Sequence, residues 1–460
     1  MGKWILWFCL QNYYKLDKSL SYKSSHLGRN MSQNRRHFIK QAGLLAASPA
    51  AALSLNQNML TQIAEAAARV AHLPATEAAR DEDFWFTVQR AFYQSPQFIN
   101  LENGYYSPQP VSVAEAQWEH IRMINQIPSF YMRRHQFEDR DTVKRQLAAF
   151  AGCGADEIVI TRNTTEALDT VIFGLDLARG DEAVVSTQDY GSMLAAFEQR
   201  VRRDGIVTRK VTLPLHPKSK SEIISAYEKA ITPRTKVMLV THMINLTGQV
   251  VPVREICDMA HGRGVEVIVD AAHSFAHLQF KLPDLHGDYV GTSLHKWLCA
   301  PLGAGLLYVK KEKIPKVWPL FGDTDYPADD IRKFEHIGTH PCATHLTIAD
   351  ALRFHEAIGS ARKEERLRYL KNYWTEKVKD LPGVVLNTPA GSEQSCGIAN
   401  VGIKGKSPAD VATALYDKYR IFTVAIETPD VKGIRVTPHL YTTLGDLDKF
   451  VRALGELSRS

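Results

Sequence analysis

The chain has 460 residues, of which 45% are hydrophobic and 23% charged, with 28 Gly, 21 Pro and six Cys. This composition excludes collagen-like, low-complexity and disulfide-scaffold proteins, and the length allows two or three domains with substantial cores. A formal charge of +6 would suit an acidic partner such as nucleic acid. Residues 1–56, however, hold eight Lys or Arg against Asp17 alone, a net of +7 that leaves −1 for the rest of the chain. The basic character is local, and no nucleic-acid partner is expected.

Within that front end, Asn34-Arg35-Arg36-His37-Phe38-Ile39-Lys40 precedes an uncharged run from Gln41 to Leu55. Paired arginines, a mild apolar stretch and small residues are the parts of a signal peptide. The segment resembles a twin-arginine signal, with Asn34 in place of the usual Ser or Thr and Ile39 in place of Leu. It implies export by the twin-arginine machinery to the periplasm, with cleavage after Ala52 or near Ala68. The apolar run falls short of the about 20 residues that a membrane span needs, so no stable span is expected. Met31 stands four residues before Arg35, where such a signal would start. Residues 1–30 are therefore read as an over-called extension and 31–56 as the signal. Cys9, Cys153, Cys257, Cys299, Cys342 and Cys396 form no CxxC pair. They read as small apolar residues of a protein folded before export.

Residues 57–99 are expected to pack with a small domain. From about residue 100 the pattern alternates between apolar strands and amphipathic helices. Glu157–Thr161 reads as a strand. Leu168, Val171, Ile172 and Leu175 then keep helical spacing, from a start near Asn163, and Asn163 with Glu166 fits a capping box. Further strands are expected at Glu182–Thr187, Lys236–Thr241, Val265–Asp270, Asp288–Gly291 and Ala304–Lys310. Val253, Ile256, Cys257 and Ala260 mark a helix between two of them, ended by Gly262 and Gly264. Strand, helix and strand in that order imply parallel βαβ units, and so an α/β fold with a large, mostly parallel, doubly wound sheet over residues 100–345. Helical stretches at Leu346–Asp380 and Ser407–Tyr419, with strands near Gly397–Ile403 and Gly433–Val436, give a smaller α+β C-terminal domain over 346–460.

In open α/β sheets ligands bind beyond the carboxyl ends of the strands. Four groups stand at such ends. Thr164 and Thr165 would bring hydroxyls and free N–H groups to a helix N-terminus, a ready anion site. Asp270 closes the apolar strand Val267-Ile268-Val269, where a carboxylate is costly without a partner such as a protonated pyridine nitrogen. Lys296, flanked by Trp297 and Leu298, would be partly desolvated into a nucleophilic amine able to capture an aldehyde. Tyr190 follows its strand as a ring able to stack on a flat ligand. Singly, these are a helix cap, a buried acid and a surface lysine; together they describe a site for pyridoxal 5′-phosphate (PLP). No G-x-G-x-x-G or Walker motif supports a nucleotide instead.

Val269-Asp270-Ala271-Ala272-His273 followed by Ser293-Leu294-His295-Lys296-Trp297 resembles the class V aminotransferases, a fold-type I PLP family, in its isopenicillin N epimerase-like branch. The resemblance covers roughly residues 95–455. It implies that Lys296 holds the cofactor and shuttles protons and that Asp270 pairs with the pyridine nitrogen. By the same resemblance Thr164, Thr165, Ser293 and His295 surround the phosphate, and Asn245 meets the ring hydroxyl. Tyr190 and His273 replace a His and a Gln of many relatives, each keeping a planar group. Phe334–Thr339 resembles the segment that enters the neighbouring subunit's phosphate site, so Thr339 implies a homodimer. Arg435 matches the arginine that binds the substrate carboxylate, and Asn103 and Tyr105 lie in a segment like the family's entry loop.

These parts imply chemistry at the amino group and Cα of an amino-acid-like or peptide-like substrate, by transamination or epimerisation, such as the tailoring of a peptide metabolite. His273 and Tyr105 are the candidates for a second acid at Cα. Cysteine desulfuration ranks low, because Ile421–Ile434, ahead of Arg435, contains no Cys. A C–S or β-elimination lyase needs no Cys and stays open, as does a binding protein on a retired PLP fold. His273/His277 and His336/His340 have metal-like spacing, but no HExxH accompanies them and no metal is expected.

Overall fold

A computed structural model describes residues 49–459, with side chains from Met59 onward. The extension 1–30 and most of the signal expected at 31–56 lie outside the described residues.

Seven strands form the main sheet: β1 (Ile158–Thr161), β2 (Glu182–Ser186), β3 (Val207–Val211), β4 (Thr235–Thr241), β5 (Glu266–Asp270), β6 (Tyr289–Ser293) and β7 (Gly305–Val309). Their order is β1-β7-β6-β5-β4-β2-β3. Every pairing is parallel except those of β7, which runs antiparallel to both β1 and β6. β1 and β6 therefore point the same way, and six strands end at one edge.

The central strands are continuous Val, Ile and Leu runs because both faces of the sheet are covered. Val240, Val267 and Val269 pack into one core with Ile256 and Cys257. Leu239 and Ile268 point the other way, into a second core with Val171 and Phe197. Six strands fall within a residue or two of their expected positions. β3 was not anticipated, because this edge strand reads Val-Thr-Arg-Lys-Val and leaves Val207 and Lys210 exposed. Charged edge strands resist pairing with other chains, and they carry little apolar signal.

The helix after β1 spans Thr164–Gly174, and Asn163 caps it by accepting the Glu166 N–H at 2.9 Å. Only half of the expected capping box forms. The Glu166 carboxylate turns to the Arg162 N–H at 2.6 Å instead of reaching Asn163.

A four-stranded antiparallel sheet of β8 (Val384–Leu386), β9 (Ala399–Ile403), β10 (Val424–Glu427) and β11 (Lys432–Val436), in the order β10-β11-β9-β8, forms the C-terminal part. Trp374 and Phe450, from helices Ser360–Val378 and Leu444–Arg459, pack on it in a third core. Ile99–Asn100 pairs in parallel with Ile421–Phe422, and Thr437 N–H donates to the Leu101 carbonyl at 2.7 Å. The chain just ahead of the main sheet is thereby fixed to the end of β11.

The helix Pro49–Arg69 places Ile63, Ala66 and Ala67 in the first core. Buried Arg366 donates to the Ala79 carbonyl at 2.9 Å and pairs with Glu82, with Trp85 beneath its guanidinium at 5.2 Å. Residues 63–85 are in this way built into the fold against helix Ser360–Val378. Among the described cysteines, Cys257, Cys299, Cys342 and Cys396 are buried and Cys153 is half-buried, all as free thiols. No helix among the described residues is long and apolar enough to cross a membrane.

Gly305, which opens β7, lies against the N-cap: a Cβ there would fall 2.6 Å from backbone atoms of Asn163. Gly305→Ala is expected to push the helix N-terminus away from the sheet edge, at a cost of about 1–3 kcal/mol. Thermal denaturation should show a Tm a few degrees lower, and an unchanged Tm would refute this close packing.

Candidate active site

The six strands ending at one edge deliver their following residues to a common place. In register, Thr241 of β4 faces Asp270 of β5, which faces Gly291 of β6. A cavity of about 150 Å³ opens at this edge. Thr164, Thr165, Tyr190, Asn245, Asp270, His273, Ser293, His295, Lys296 and Tyr105 all line it. Chain segments far apart in sequence thus bring ten of the expected site residues together.

One end of the cavity is built for an anion. Thr164 and Thr165 begin a helix, where N–H groups and the helix dipole favour negative charge. The Ser293 hydroxyl accepts the Thr164 N–H at 3.0 Å and meets its hydroxyl at 2.7 Å. His295 Nδ1 lies 3.2 Å from the Ala304 carbonyl, so Nδ1 carries the proton and Nε2 is left as an acceptor. Burial lowers the His295 pKa to about 4 and keeps the ring neutral. Tyr106 stacks on it, with ring centroids 5.9 Å apart.

The centre is desolvated. Asp270 is 3% exposed and accepts the Ala272 N–H at 2.9 Å. Burial raises its pKa, while that N–H and the charge of Lys296 pull it down. A carboxylate so placed calls for a cationic partner. Asn245 Oδ1 is buried with no hydrogen-bond partner. Tyr190 caps the next helix and places its ring centroid 6.0 Å from Lys296 Nζ.

Burial lowers the Lys296 pKa to about 8; Asp270 and Glu102 oppose this, and Arg435 adds to it. Its Nζ lies 3.2 Å from His273 Nε2, and Trp297 Nε1–H donates to His273 Nδ1 at 3.4 Å. Indole is a donor only, so the His273 proton sits on Nε2 and points at the Lys296 amine. The amine can accept that proton with its lone pair only in its neutral form, which becomes the major one above a pH of about 8. Burial, and after it the charges of Lys296 and Arg435, hold the His273 pKa far below its ordinary value. His277 is occupied elsewhere: Nδ1 faces the His273 carbonyl at 2.9 Å, and Nε2 accepts the Gly397 N–H at 2.9 Å. Among the described residues, no three His, Cys, Asp or Glu are grouped to hold a metal ion.

Three expected residues stand outside the cavity lining. Asn103 is fully buried and bonded within the protein. Its N–H and side-chain amide donate to Thr437, and its Oδ1 accepts the Tyr441 hydroxyl. It ties the entry loop to the end of β11 and has no free group to offer a substrate. Arg435 is also fully buried; it is paired with Glu102 and covered by the Tyr105 ring at 4.1 Å. Thr339 is exposed on the segment after Ile331–Phe334.

Four residues of the site went unread in the sequence. Thr241 and Tyr106 line the cavity. Asp189 takes the Thr241 hydroxyl at 2.7 Å and the Ser186 N–H at 2.6 Å, and burial raises its pKa to about 7. Like Asp270, Asp189 is a lone acid just past an apolar strand, and the same rule would have found it. Glu102 gave no such signal, since its partner lies in another domain of the sequence.

The residues fit PLP, because each polar feature of the cavity answers one part of that cofactor. The helix N-terminus with Ser293 and His295 suits a phosphate, the buried Asp270 a pyridinium, the orphaned Asn245 oxygen a hydroxyl, and the neutral Lys296 an aldehyde. A family model described as aminotransferase class-V matches residues 110–453. The chain belongs to the class V aminotransferases. This class V chain is 29% identical to isopenicillin N epimerase from Amycolatopsis lactamdurans, over 82% of its own length and 99% of the relative's. It is 28% identical to a probable cysteine desulfurase of Halalkalibacterium halodurans, over 77% and 92% of the two chains. A solved cysteine desulfurase from Thermococcus onnurineus shares its fold, with a TM-score of 0.70 at 24% identity, over 82% and 98%. A cystine C–S lyase does so as well, with a TM-score of 0.71 at 21% identity, over 78% and 98%. The class V chain is thus a fold-type I, PLP-dependent enzyme.

Only the neutral amine of Lys296 can attack an aldehyde, and a pKa near 8 sets where it forms. The rate of PLP uptake by cofactor-free enzyme, followed by stopped-flow absorbance, should rise with pH up to about 8 and then level off. A rise continuing toward the ordinary lysine value would show that the amine is not desolvated.

Proposed function

We propose that this class V enzyme is exported and acts at the Cα of a primary-amine substrate of amino-acid or peptide type, by transamination or epimerisation. The observation that carries the reading is the pair Lys296 Nζ and His273 Nε2, 3.2 Å apart in one cavity. PLP, when bound, supplies the electron sink that makes the Cα proton acidic. Lys296 then serves as the base that takes this proton, since its amine faces the cavity and burial lowers its pKa to about 8. Delivery of the proton to the cofactor gives transamination; delivery to the opposite face of Cα, for which His273 and Tyr105 are the candidates lining the cavity, gives epimerisation. Tyr105 screens the entrance. Arg435 and Asn103, behind it, shape the wall on the substrate's side.

A β-eliminating C–S lyase is the second reading, supported by the relatives named cysteine desulfurases. It begins with the same Cα deprotonation. Sulfur transfer onto an enzyme thiol finds no carrier among the described residues: no cysteine lines the cavity, and the Cys396 thiol, its pKa pushed up to about 12 by burial, meets the Glu364 carbonyl.

A homodimer with shared sites accounts for exposed Trp318, Leu302, Phe137 and Phe130, 58–74% accessible in the single chain, and for Thr339 lying outside its own cavity. Export through the segment 31–56 would deliver the folded enzyme outside the cytoplasm. Cleavage after Ala52 suits this better than cleavage near Ala68, which would remove Ile63, Ala66 and Ala67 from the core.

Lys296→Ala is expected to lose the visible band of the lysine-bound cofactor and all turnover. His273→Phe should slow solvent exchange of the substrate's Cα–H and racemisation by about 10²-fold, within the range of a general acid or base. Unchanged exchange and racemisation would remove His273 from the reaction. Replacing Arg35 and Arg36 by lysine should retain the protein in the cytoplasmic fraction; continued appearance in the periplasm would overturn the export reading.

A further inference from the structure

Behind the cavity wall lies an ion pair for which the reaction has no use. Arg435 donates to both oxygens of Glu102, from Nε at 3.0 Å and from Nη2 at 2.7 Å, and its Nη1 donates to the Asn245 carbonyl at 3.1 Å. Glu102 Oε1 also accepts the Gly104 and Tyr105 N–H groups, at 2.8 and 2.9 Å. The two side chains are 0% and 4% exposed. The Nε–Nη2 edge is one of the two with which a guanidinium grips a carboxylate in plane. Here that edge is filled by the protein's own carboxylate, and Tyr105 closes over the face.

A free α-carboxylate could take this edge of the arginine only by displacing Glu102, while Nη1 is held by the Asn245 carbonyl and the whole side chain is closed to solvent. The displaced carboxylate would stay buried on two backbone N–H groups without its cation, and a buried ion left unpaired is strongly unfavourable. The lining that this chain itself supplies to the cavity offers no substitute. Among the described residues that line it, Lys296 is the one formal cation, and Asp270 adds a negative charge. The helix N-terminus at Thr164 is matched to the cofactor's phosphate. A neutral α-substituent meets none of these objections.

We propose that Glu102 is a specificity-determining residue: by occupying Arg435 it fits the site to a primary amine whose α-carbon bears a neutral group, such as the amide of a peptide's first residue, in preference to a free α-carboxylate. This rests on the reading of the cavity as a PLP site acting on amines. Glu102 acts through Arg435 and Tyr105 and touches no reacting atom.

The test uses the full-chain, PLP-loaded enzyme and matched pairs of compounds, alanine with alaninamide, phenylalanine with phenylalaninamide, and glutamate with its α-amide. Each is titrated while the cofactor's absorbance reports binding and product analysis reports turnover. The expected result is that the amide of at least one pair binds about tenfold or more tightly than its acid, a difference of about 1.4 kcal/mol. Glu102→Gln, which keeps the shape and removes the charge, should shift the acid-to-amide ratio of dissociation constants toward the acid by a similar factor. A merely structural role would leave that ratio unmoved while lowering stability. Acids binding the unaltered enzyme as well as or better than amides would overturn the proposal with no mutant needed. An unmoved ratio in a folded Glu102→Gln, checked by circular dichroism, would overturn it as well. Binding by neither class would overturn the amine-chemistry reading and this inference with it.

Discussion

The sheet buries both of its faces, so the polar groups at the centre of its carboxyl edge, Asp270, His273, Ser293 and His295, stand in a place that water scarcely reaches. That desolvation sets the chemistry of the site. It lowers Lys296 to about 8 and raises Asp270, and it keeps His273 and His295 neutral. A lysine in water would be a solvated cation, unable to attack an aldehyde or take a proton from carbon. The same burial would be ruinous for a lone carboxylate, were there no cationic ring for Asp270 to face. Reactivity at one group and cofactor demand at the other thus come from a single physical cause.

Desolvation also explains why the surrounding polar residues are tied so closely. Asp189 is held by Thr241 and the Ser186 N–H, Asn103 by Thr437 and Tyr441, and Ser293 by Thr164. Apart from the local Ser186–Asp189 bond, each of these crosses between segments distant in sequence. They join the ends of β2 and β4, the ends of β1 and β6, and the entry loop to the end of β11, around a cavity of about 150 Å³. Asn245 Oδ1 breaks this pattern of satisfaction, and it faces the cavity. Among the described residues that line the cavity, Asn245 is the one with a buried side-chain atom left unpartnered, which marks where a ligand would complete the structure.

Much of this was legible from sequence for a definite reason. β4 and β5 are apolar runs long enough to be seen, and a polar residue ending such a run, such as Asp270, stands out against them. Lys296 was legible through its neighbours Trp297 and Leu298. Three kinds of feature were not. β3 is a charged edge strand whose pairing depends on β2 alone. The Glu166 side chain had two backbone N–H groups within reach, and local spacing could not choose between Asn163 and Arg162. Glu102 and Asn103 sit in a short polar stretch whose roles are defined by Arg435 and Thr437, more than 300 residues further on. Spacing rules act within an element; these roles arise between domains.

That last group carries the proposed specificity of the enzyme. Relatives named as epimerases and as cysteine desulfurases match this chain alike, so family membership does not select a reaction. What differs must lie in the groups that meet the rest of the substrate: the 102–106 loop, Arg435 beneath it and the absence of a thiol from the described cavity lining. Glu102 links these to the cofactor end, because the pair it forms with Arg435 acts on Lys296 with opposite signs, Glu102 raising its pKa and Arg435 lowering it. A substrate that disturbed the pair would change the protonation of the catalytic amine as well as its own binding. An intact, neutral pair keeps Lys296 governed by burial and Asp270, and this is a physical reason for the chain to satisfy its arginine internally.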